Sequence, residues 1–368
     1  MINMKVIISG GGTGGHIFPA ISIAEELKRQ DPEVEILFVG ANNRMEMEKV
    51  PQAGFEIVGL PISGFVRSLS FQNMKTINNI FKSLSKAKKI IKNFKPDIAV
   101  GVGGYASGPM LFAAQRTGIP TLIQEQNSYA GLTNKILGKR VQKVCVAYDG
   151  MEKFFKPERI VFTGNPVRPA IQNITCTRAQ AEAFFDLESG KKTILVVGGS
   201  LGARTINQSI AAHLEAFAKA GVQVIWQTGK AFFAQAQEMA KNYANIKVFD
   251  FIKNMDMAFT AADVIISRAG AGTISELCIV GKPCIFVPSP NVTEDHQMHN
   301  ALALVNKQAA LLVRDSEAVE KLPAVALNLL NDENEMNELA KNIQTLAIPN
   351  AAERIVNEIF GLVQKQFA

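Results

Sequence analysis

Met4 to Ser9 (MKVIIS) is a short apolar run rich in β-branched residues. It ends in Gly10-Gly11-Gly12-Thr13-Gly14-Gly15, and from Ala20 the apolar positions recur at helical spacing through AISIAEELKRQ. That spacing predicts strand, glycine loop and helix in succession. The same order returns 188 residues later: TILVV (Thr193 to Val197) runs into Gly198-Gly199-Ser200-Leu201-Gly202-Ala203 and then a helical stretch, RTINQSIAAHLEAFAKA. Further apolar runs follow each start, VEILFVG, DIAVGVGG, TLIQEQ and KVCVA in the first half, VQVIWQTG, IKVFDF, VIISRAG and CIFVPS in the second, all alternating with helical segments. Continuous apolar strands between helices predict α/β folding, with parallel sheets covered on both faces. Two prolines and a glycine break the pattern at Gly164-Asn165-Pro166-Val167-Arg168-Pro169, which predicts a hinge. The expected domains are 1–163 and 164–348, with an amphipathic helix over about 349–368 packing back on the first. Two facing doubly wound domains would bring the carboxyl ends of both sheets to one cleft, the usual ligand position in such folds.

Composition narrows the class. A chain of 368 residues exceeds the ~250 at which single cores stop growing, and 47% hydrophobic against 20% charged residues excludes wholesale disorder. Four cysteines, at 145, 176, 278 and 284, form no C-x-x-C, so neither a zinc cluster nor a disulfide framework is expected, and a reducing cytosol fits. No apolar run approaches the ~18 residues of a spanning helix and no signal-peptide pattern opens the chain, so neither export nor membrane integration is expected. The net charge of +6 is unevenly placed. Between Ile57 and Pro96 there is no acid but eight basic residues, Arg67, Lys75, Lys82, Lys86, Lys88, Lys89, Lys92 and Lys95, which leaves 31 basic against 33 acidic residues elsewhere.

The glycine loops follow strands and precede helices, so their backbone N–H groups and the helix dipole are placed to meet a phosphate. Tight strand-to-helix turning is the competing reason for the glycines. Gly10, Gly12 and Gly15 satisfy G-x-G-x-x-G, but the second strands end in Val39-Gly40-Ala41-Asn42 and Gln227-Thr228-Gly229, without the acid that a dinucleotide-binding unit uses for its ribose. An NAD(P) oxidoreductase is therefore disfavoured, as is a P-loop NTPase, since G-x-x-x-x-G-K-[ST] is absent. Ser267 to Glu276 (SRAGAGTISE) is a further glycine turn into a helix, with Glu276 placed either to hold a ribose diol or to close a capping box on Thr273.

Taken in order, GGGTGGH at 10–16, GGYASGP at 103–109, QEQN at 124–127, GLTNK at 131–135, GNPVR at 164–168, GGSLGA at 198–203, SRAGAGTISE at 267–276 and DHQMHN at 295–300 resemble the motif set of the MurG family of bacterial glycosyltransferases. The resemblance spans nearly the whole chain. It implies a GT-B fold of two Rossmann-like domains and a metal-independent, inverting transfer of GlcNAc from UDP-GlcNAc to the MurNAc 4-hydroxyl of undecaprenyl-pyrophosphoryl-MurNAc-pentapeptide. That step, lipid I to lipid II, belongs to peptidoglycan synthesis and so to cell shape and division. Carried over by position, the resemblance places Thr13, Gly14, Gly15 and Asn127 at the sugar, Arg168 and Ser200 at the donor diphosphate, and the Ile252 backbone at the uracil. It places Ala271, Gly272, Thr273, Ile274, Ser275 and Glu276 around the nucleotide, Gln297 on the sugar, and Gly12, Gly103, Gly104 and Tyr105 at the acceptor diphosphate. It implies no cofactor and no nucleic acid. Its partners would be UDP-GlcNAc, the lipid-linked acceptor and the anionic cytoplasmic face of the cell membrane, with room for other cell-wall synthesis proteins. A GT-B 2-epimerase acting on a UDP-sugar is the nearest alternative.

Such a transfer needs a base for the acceptor hydroxyl and positive character around departing UDP. His16, at the entry to the first helix, is the first candidate base, since a helix N-terminus favours its neutral form; capping or packing is its ordinary role there. Glu125, at the end of TLIQEQ, is the second, as base or as the group that orients the acceptor or the histidine. No D-x-D occurs in the chain, which argues against a bridging Mg²⁺ or Mn²⁺, and His296-x-x-His299 lacks a matched third ligand.

From Met74 to Phe94 the apolar residues Ile77, Phe81, Leu84, Ala87, Ile91 and Phe94 recur at helical spacing with Lys82, Lys86 and Lys89 on a neighbouring stripe, which predicts an amphipathic basic helix. With Phe65, Arg67, Phe71 and Lys75 just upstream, this is the expected membrane patch. Each basic residue near an anionic leaflet contributes about 1 kcal/mol, so four would give ~4 kcal/mol, roughly a thousandfold in partitioning.

Overall fold

The structure, a computed structural model, describes residues 4–62, 71–199 and 202–367. The chain divides into two compact units, Met1–Val167 with Asn350–Ala368, and Arg168–Pro349. The division falls within the Gly164 to Pro169 segment.

The first unit is built on seven strands, β1 (Lys5–Ser9), β2 (Glu35–Ala41), β3 (Glu56–Leu60), β4 (Ile98–Gly101), β5 (Thr121–Glu125), β6 (Lys143–Val146) and β7 (Ile160–Phe162), in the spatial order β3-β2-β1-β4-β5-β6-β7. Every pairing is parallel. Side chains of Val6, Ile7 and Ile8 are fully buried because helices cover both faces of the sheet, which explains why the strands read as unbroken apolar runs. On one face Ile7, Val39, Ala99 and Ile123 pack under the helices Phe71–Phe94 and Ser107–Arg116. On the other, Val6, Ile8, Ile98 and Val100 meet Ile17, Ile23 and Leu27 of the helix Gly14–Gln30 and Ile355, Val356 and Ile359 of the helix Ala351–Phe367. The last helix of the chain thus completes the first unit's core.

The second unit repeats the plan with six strands, β8 (Thr193–Val197), β9 (Gln223–Gln227), β10 (Ile246–Phe249), β11 (Val264–Ser267), β12 (Cys284–Phe286) and β13 (Leu311–Leu312), ordered β10-β9-β8-β11-β12-β13 and again all parallel. In both units the strand order reverses direction at the first strand. The loops leaving the carboxyl ends of β1 and β4, and of β8 and β11, therefore lead to opposite faces of the sheet, at the switch point where doubly wound folds take ligands. These are the loops that carry the glycine motifs.

Candidate active site

In the first unit the loops after β1 and β4 touch through their backbones. A Cβ on Gly104 (φ +81°) would run into the Gly11 carbonyl, and one on Gly10 would lie 2.7 Å from the Gly103 carbonyl. Gly103 (φ +91°) is the floor for His16, since a Cβ there would lie 2.8 Å from the imidazole Cε1. Close approach, as well as turning, requires these glycines. Thr13 is the N-cap of the helix Gly14–Gln30, which places the N–H groups of Gly14 and Gly15 among the first-turn donors and His16 half-buried beside them. Tyr105, next to Gly104, and Phe18, whose ring lies against Gly14, are both about half exposed.

Gly12 behaves differently from expectation. Its N–H donates to Glu46 Oε2 at 2.8 Å, and the other carboxylate oxygen accepts from the Ala41 N–H at 2.9 Å. Glu46 is 1% exposed, so an internal carboxylate already occupies the donor that a diphosphate was expected to use. Nothing in NNRMEMEK marks this residue. It opens the helix Glu46–Gln52, from which its carboxylate reaches back to the end of β2.

Glu125 is also 1% exposed. Its Oε1 accepts from the N–H (3.1 Å) and Nδ2 (3.2 Å) of Asn127, and its Oε2 from the Gly131 N–H (3.0 Å) and Asn134 Nδ2 (2.9 Å). Four donors engage the four or so lone-pair sites of a carboxylate, which argues against the expected general-base role. Glu125 instead holds the turn from Asn127 to Asn134, and with it the half-buried Asn127 side chain. His16 faces Gln126, whose Oε1 lies 3.0 Å from the imidazole Nδ1.

In the second unit the loop after β8 is tied to its neighbours by Gln227 at the end of β9. Gln227 Nε2 donates to the Gly199 carbonyl (3.2 Å) and its Oε1 accepts from the Ile252 N–H (2.9 Å). A uracil read by the Ile252 backbone must therefore use the carbonyl or displace Gln227. Gly202 (φ +80°) is required because a Cβ would run into the Thr228 carbonyl. Ser200 lies outside the described residues.

After β11 the helix Ala271–Val280 begins at the N-cap Gly270, not at Thr273, which removes the capping-box alternative for Glu276. The N–H groups of Ala271, Gly272 and Thr273 fall in the first turn, whose amides have no acceptor within the helix. Ile274 is 2% exposed and its N–H donates to the Gly270 carbonyl at 2.9 Å, so it serves the helix and not a ligand directly; the Ser275 hydroxyl likewise donates to the Ala271 carbonyl at 3.0 Å. Glu276 meets Arg168 in a two-pronged pair, Nε to Oε1 at 2.6 Å and Nη2 to Oε2 at 2.8 Å. The two residues expected at the donor diphosphate and ribose are thus adjacent. Gln297 Oε1 accepts from the Ser289 N–H at 2.8 Å, which leaves its NH₂ as the end that a sugar can meet. Just before it, Glu294 and Asp295 both take left-handed backbone (φ +55° and +51°), and Glu294 Oε2 lies 3.1 Å from His296 Nε2. Among the described residues no group of three or more His, Cys, Asp or Glu side chains is gathered as a metal ion would require.

On the basic helix Phe71–Phe94, Ser83, Ala87, Ile90 and Ile91 are buried and Ile80 and Phe94 pack against the core. Phe81, expected in the inward stripe, is 67% exposed: Ser83 and Ile90 extend the buried face on the other side of Ala87, which leaves Phe81 turned outward. Lys82, Lys86 and Lys89 are all exposed, but Lys86 Nζ donates to the Gly59 carbonyl at 2.7 Å, which ties its ammonium to β3. The helix packed against it exposes Phe112, with the Arg116 guanidinium 5.6 Å from its ring centre. Phe65 and Arg67 lie outside the described residues, and for Phe71 and Lys75 only the backbone is described. Among the described residues no helix is long and apolar enough to cross a membrane.

Two family models match this arrangement, the N-terminal domain of glycosyltransferase family 28 over residues 6–146 and its C-terminal domain over residues 193–355. The chain belongs to glycosyltransferase family 28. Within the family it is 56% identical, over the full length of both chains, to a Parabacteroides distasonis protein named "UDP-N-acetylglucosamine--N-acetylmuramyl-(pentapeptide) pyrophosphoryl-undecaprenol N-acetylglucosamine transferase". A Bacteroides thetaiotaomicron protein of the same name is 53% identical over 99% of each chain. The crystal structure of Acinetobacter baumannii MurG superposes with a TM-score of 0.79 at 30% identity, covering 98% of this chain and 99% of that one. A UDP-GlcNAc 2-epimerase from Neisseria meningitidis shares the fold alone, with a TM-score of 0.67 at 18% identity over 97% of this chain and 100% of that one. The family's GT-B architecture accounts for the two parallel sheets, and the likeness to these relatives, unlike the ordered motifs alone, extends over the whole length.

Proposed function

We propose that this enzyme transfers GlcNAc from UDP-GlcNAc to the MurNAc 4-hydroxyl of undecaprenyl-pyrophosphoryl-MurNAc-pentapeptide at the cytoplasmic face of the cell membrane. The observation that carries the site assignment is the pair of switch points. One bears a histidine beside glycine N–H donors, and the other bears an arginine and a glutamate beside a helix N-terminus. The acceptor oxygen bonds to C1 of GlcNAc from the face opposite UDP. Its proton passes to His16, and the C1–oxygen bond to UDP breaks with the electron pair leaving on the diphosphate. Arg168 and the N–H groups of Ala271, Gly272 and Thr273 oppose the charge that develops there, and Glu276 receives the ribose hydroxyls. A UDP-sugar that uses Arg168 and Glu276 together has to part them, exchanging one charge-assisted pair for two. Gly14 and Gly15, with Gly103 and Gly104, offer backbone donors to the acceptor diphosphate, and Asn127 and Gln297 hold the sugar. Glu125 keeps Asn127 in place.

Membrane docking falls to the outer side of the helix Phe71–Phe94, where Phe81, Lys82 and Lys89 are exposed, together with the exposed Phe112 and Arg116 of the helix packed against it. An exposed aromatic among cations suits an anionic leaflet, to which each nearby cation contributes about 1 kcal/mol.

The test is incubation of the purified enzyme with labelled UDP-GlcNAc and a lipid I analogue in the presence of EDTA. Labelled disaccharide-lipid, with no UDP-sugar epimer formed when the acceptor is left out, is the expected result. Failure to label the lipid, or acceptor-independent epimerisation, would overturn the reading.

A further inference from the structure

The amides facing His16 are fixed from the backbone outward. Asn165 Nδ2 donates to the Gln126 main-chain carbonyl at 3.0 Å, so Asn165 Oδ1 is the end turned to Gln124, whose Nε2 donates to it at 2.8 Å. Gln124 Oε1 then faces Gln126 Nε2, which also donates to the Val102 carbonyl at 2.8 Å. A carbonyl only accepts, so Gln126 is set from two directions with its own oxygen toward His16 Nδ1. All three amides are at most 2% exposed, and reversing any one of them would bring oxygen against oxygen in a buried site. Because an amide oxygen cannot donate, Nδ1 must carry hydrogen, and in a neutral imidazole the lone pair then lies on Nε2.

We propose that Gln126, held by Gln124 and Asn165, is a positioning residue that selects the Nδ1–H tautomer of His16 and so makes Nε2 the atom that takes the acceptor's proton. This rests on His16 being the base. In the step itself the acceptor O–H bond breaks and an Nε2–H bond forms. The imidazolium keeps its Nδ1–H on Gln126, so the ring is held through the cycle and no proton passes to the amide. The carboxylates on adjoining segments, Glu46 and Glu125, are each engaged by N–H donors of their own. The amide is thus a neutral orienting partner, and it does not favour the charged ring as strongly as a carboxylate would.

The test uses full-length enzyme labelled with ¹⁵N-histidine, with the His16 signals identified by their loss in His16→Ala. In the wild type Nδ1 is expected at the protonated shift and Nε2 at the unprotonated one. Gln126→Leu should move the population toward the Nε2–H tautomer and lower kcat at least tenfold, with the KM for UDP-GlcNAc within twofold. Gln126→Glu restores an acceptor with a charge, which raises the imidazole pKa; it should recover part of the turnover and shift the acid limb of the kcat profile to higher pH. An Nε2–H tautomer in the wild type, or wild-type turnover with an unmoved tautomer in folded Gln126→Leu, would overturn the proposal. If Gln126→Leu does not fold, the wild-type spectrum and the Gln126→Glu profile still decide it. Wild-type turnover in His16→Ala would refute His16 as base, while the spectrum would still report whether Gln126 sets the tautomer.

Discussion

Glu125 stands next in sequence to the amide that holds His16, yet its carboxylate accepts from Asn127, Gly131 and Asn134. The charge-assisted bonds it makes inside the unit are worth about 1.5–3 kcal/mol each, and removal strands their donors. Glu125→Ala should therefore destabilise the enzyme by about 3 kcal/mol in chemical denaturation, with the loss of turnover following the loss of fold. Unchanged stability together with abolished turnover would return Glu125 to the role of base. Single residues were the least legible scale in the sequence. Motif spacing points to Gly103 and Gly104 but not to what they touch, and Glu46 carries no motif because its partners, Gly12 and Ala41, are met only once β1 and β2 lie side by side.

At the scale of elements, the strands buried on both faces were plain in the sequence as apolar runs, whereas the short or part-exposed edge strands β3, β7 and β13, and the rotation of a helix about its axis, were not. Apolar residues at both 80 and 81 allow two inward faces for the helix Phe71–Phe94, and only packing against the sheet chooses the one with Ile80 and Ile90. The choice alters what the lysines do. Reversing Lys82 and Lys89 to Glu should weaken binding to anionic liposomes at least tenfold and leave UDP-GlcNAc affinity unchanged, because their ammonium groups face solvent. Lys86→Glu should instead lower stability, since it removes the bond to Gly59.

A second element contact is sensitive to pH. Lys282, after the helix Ala271–Val280, donates to the carbonyls of Thr260 and Ala262, and burial pushes its ammonium down to about 8 although Asp263 lies near it. The folded value is below the unfolded one, so the unfolded chain holds the extra proton between the two. Stability should rise by about 2 kcal/mol from pH 8 to pH 10 on this account, and denaturation midpoints of Lys282→Met should lack that rise.

Across the whole molecule, two units share one strand order, and that order explains why motifs far apart in the chain fall into two places. The repeat of strand, glycine loop and helix was visible at Gly10 and again at Gly198. Strand order was not, because a run of apolar residues does not say which neighbour it pairs with; the switch points between β1 and β4 and between β8 and β11 appear only with the sheets. The proposed role of His16 leads to one decisive measurement, the turnover number of His16→Ala on a lipid I analogue, taken beside its dissociation constant for UDP-GlcNAc. A base contributes roughly 10²–10⁴ in rate, so kcat should fall by at least a hundredfold while donor affinity, for which the proposal uses other groups than His16, stays within twofold. Wild-type turnover in His16→Ala would contradict the account.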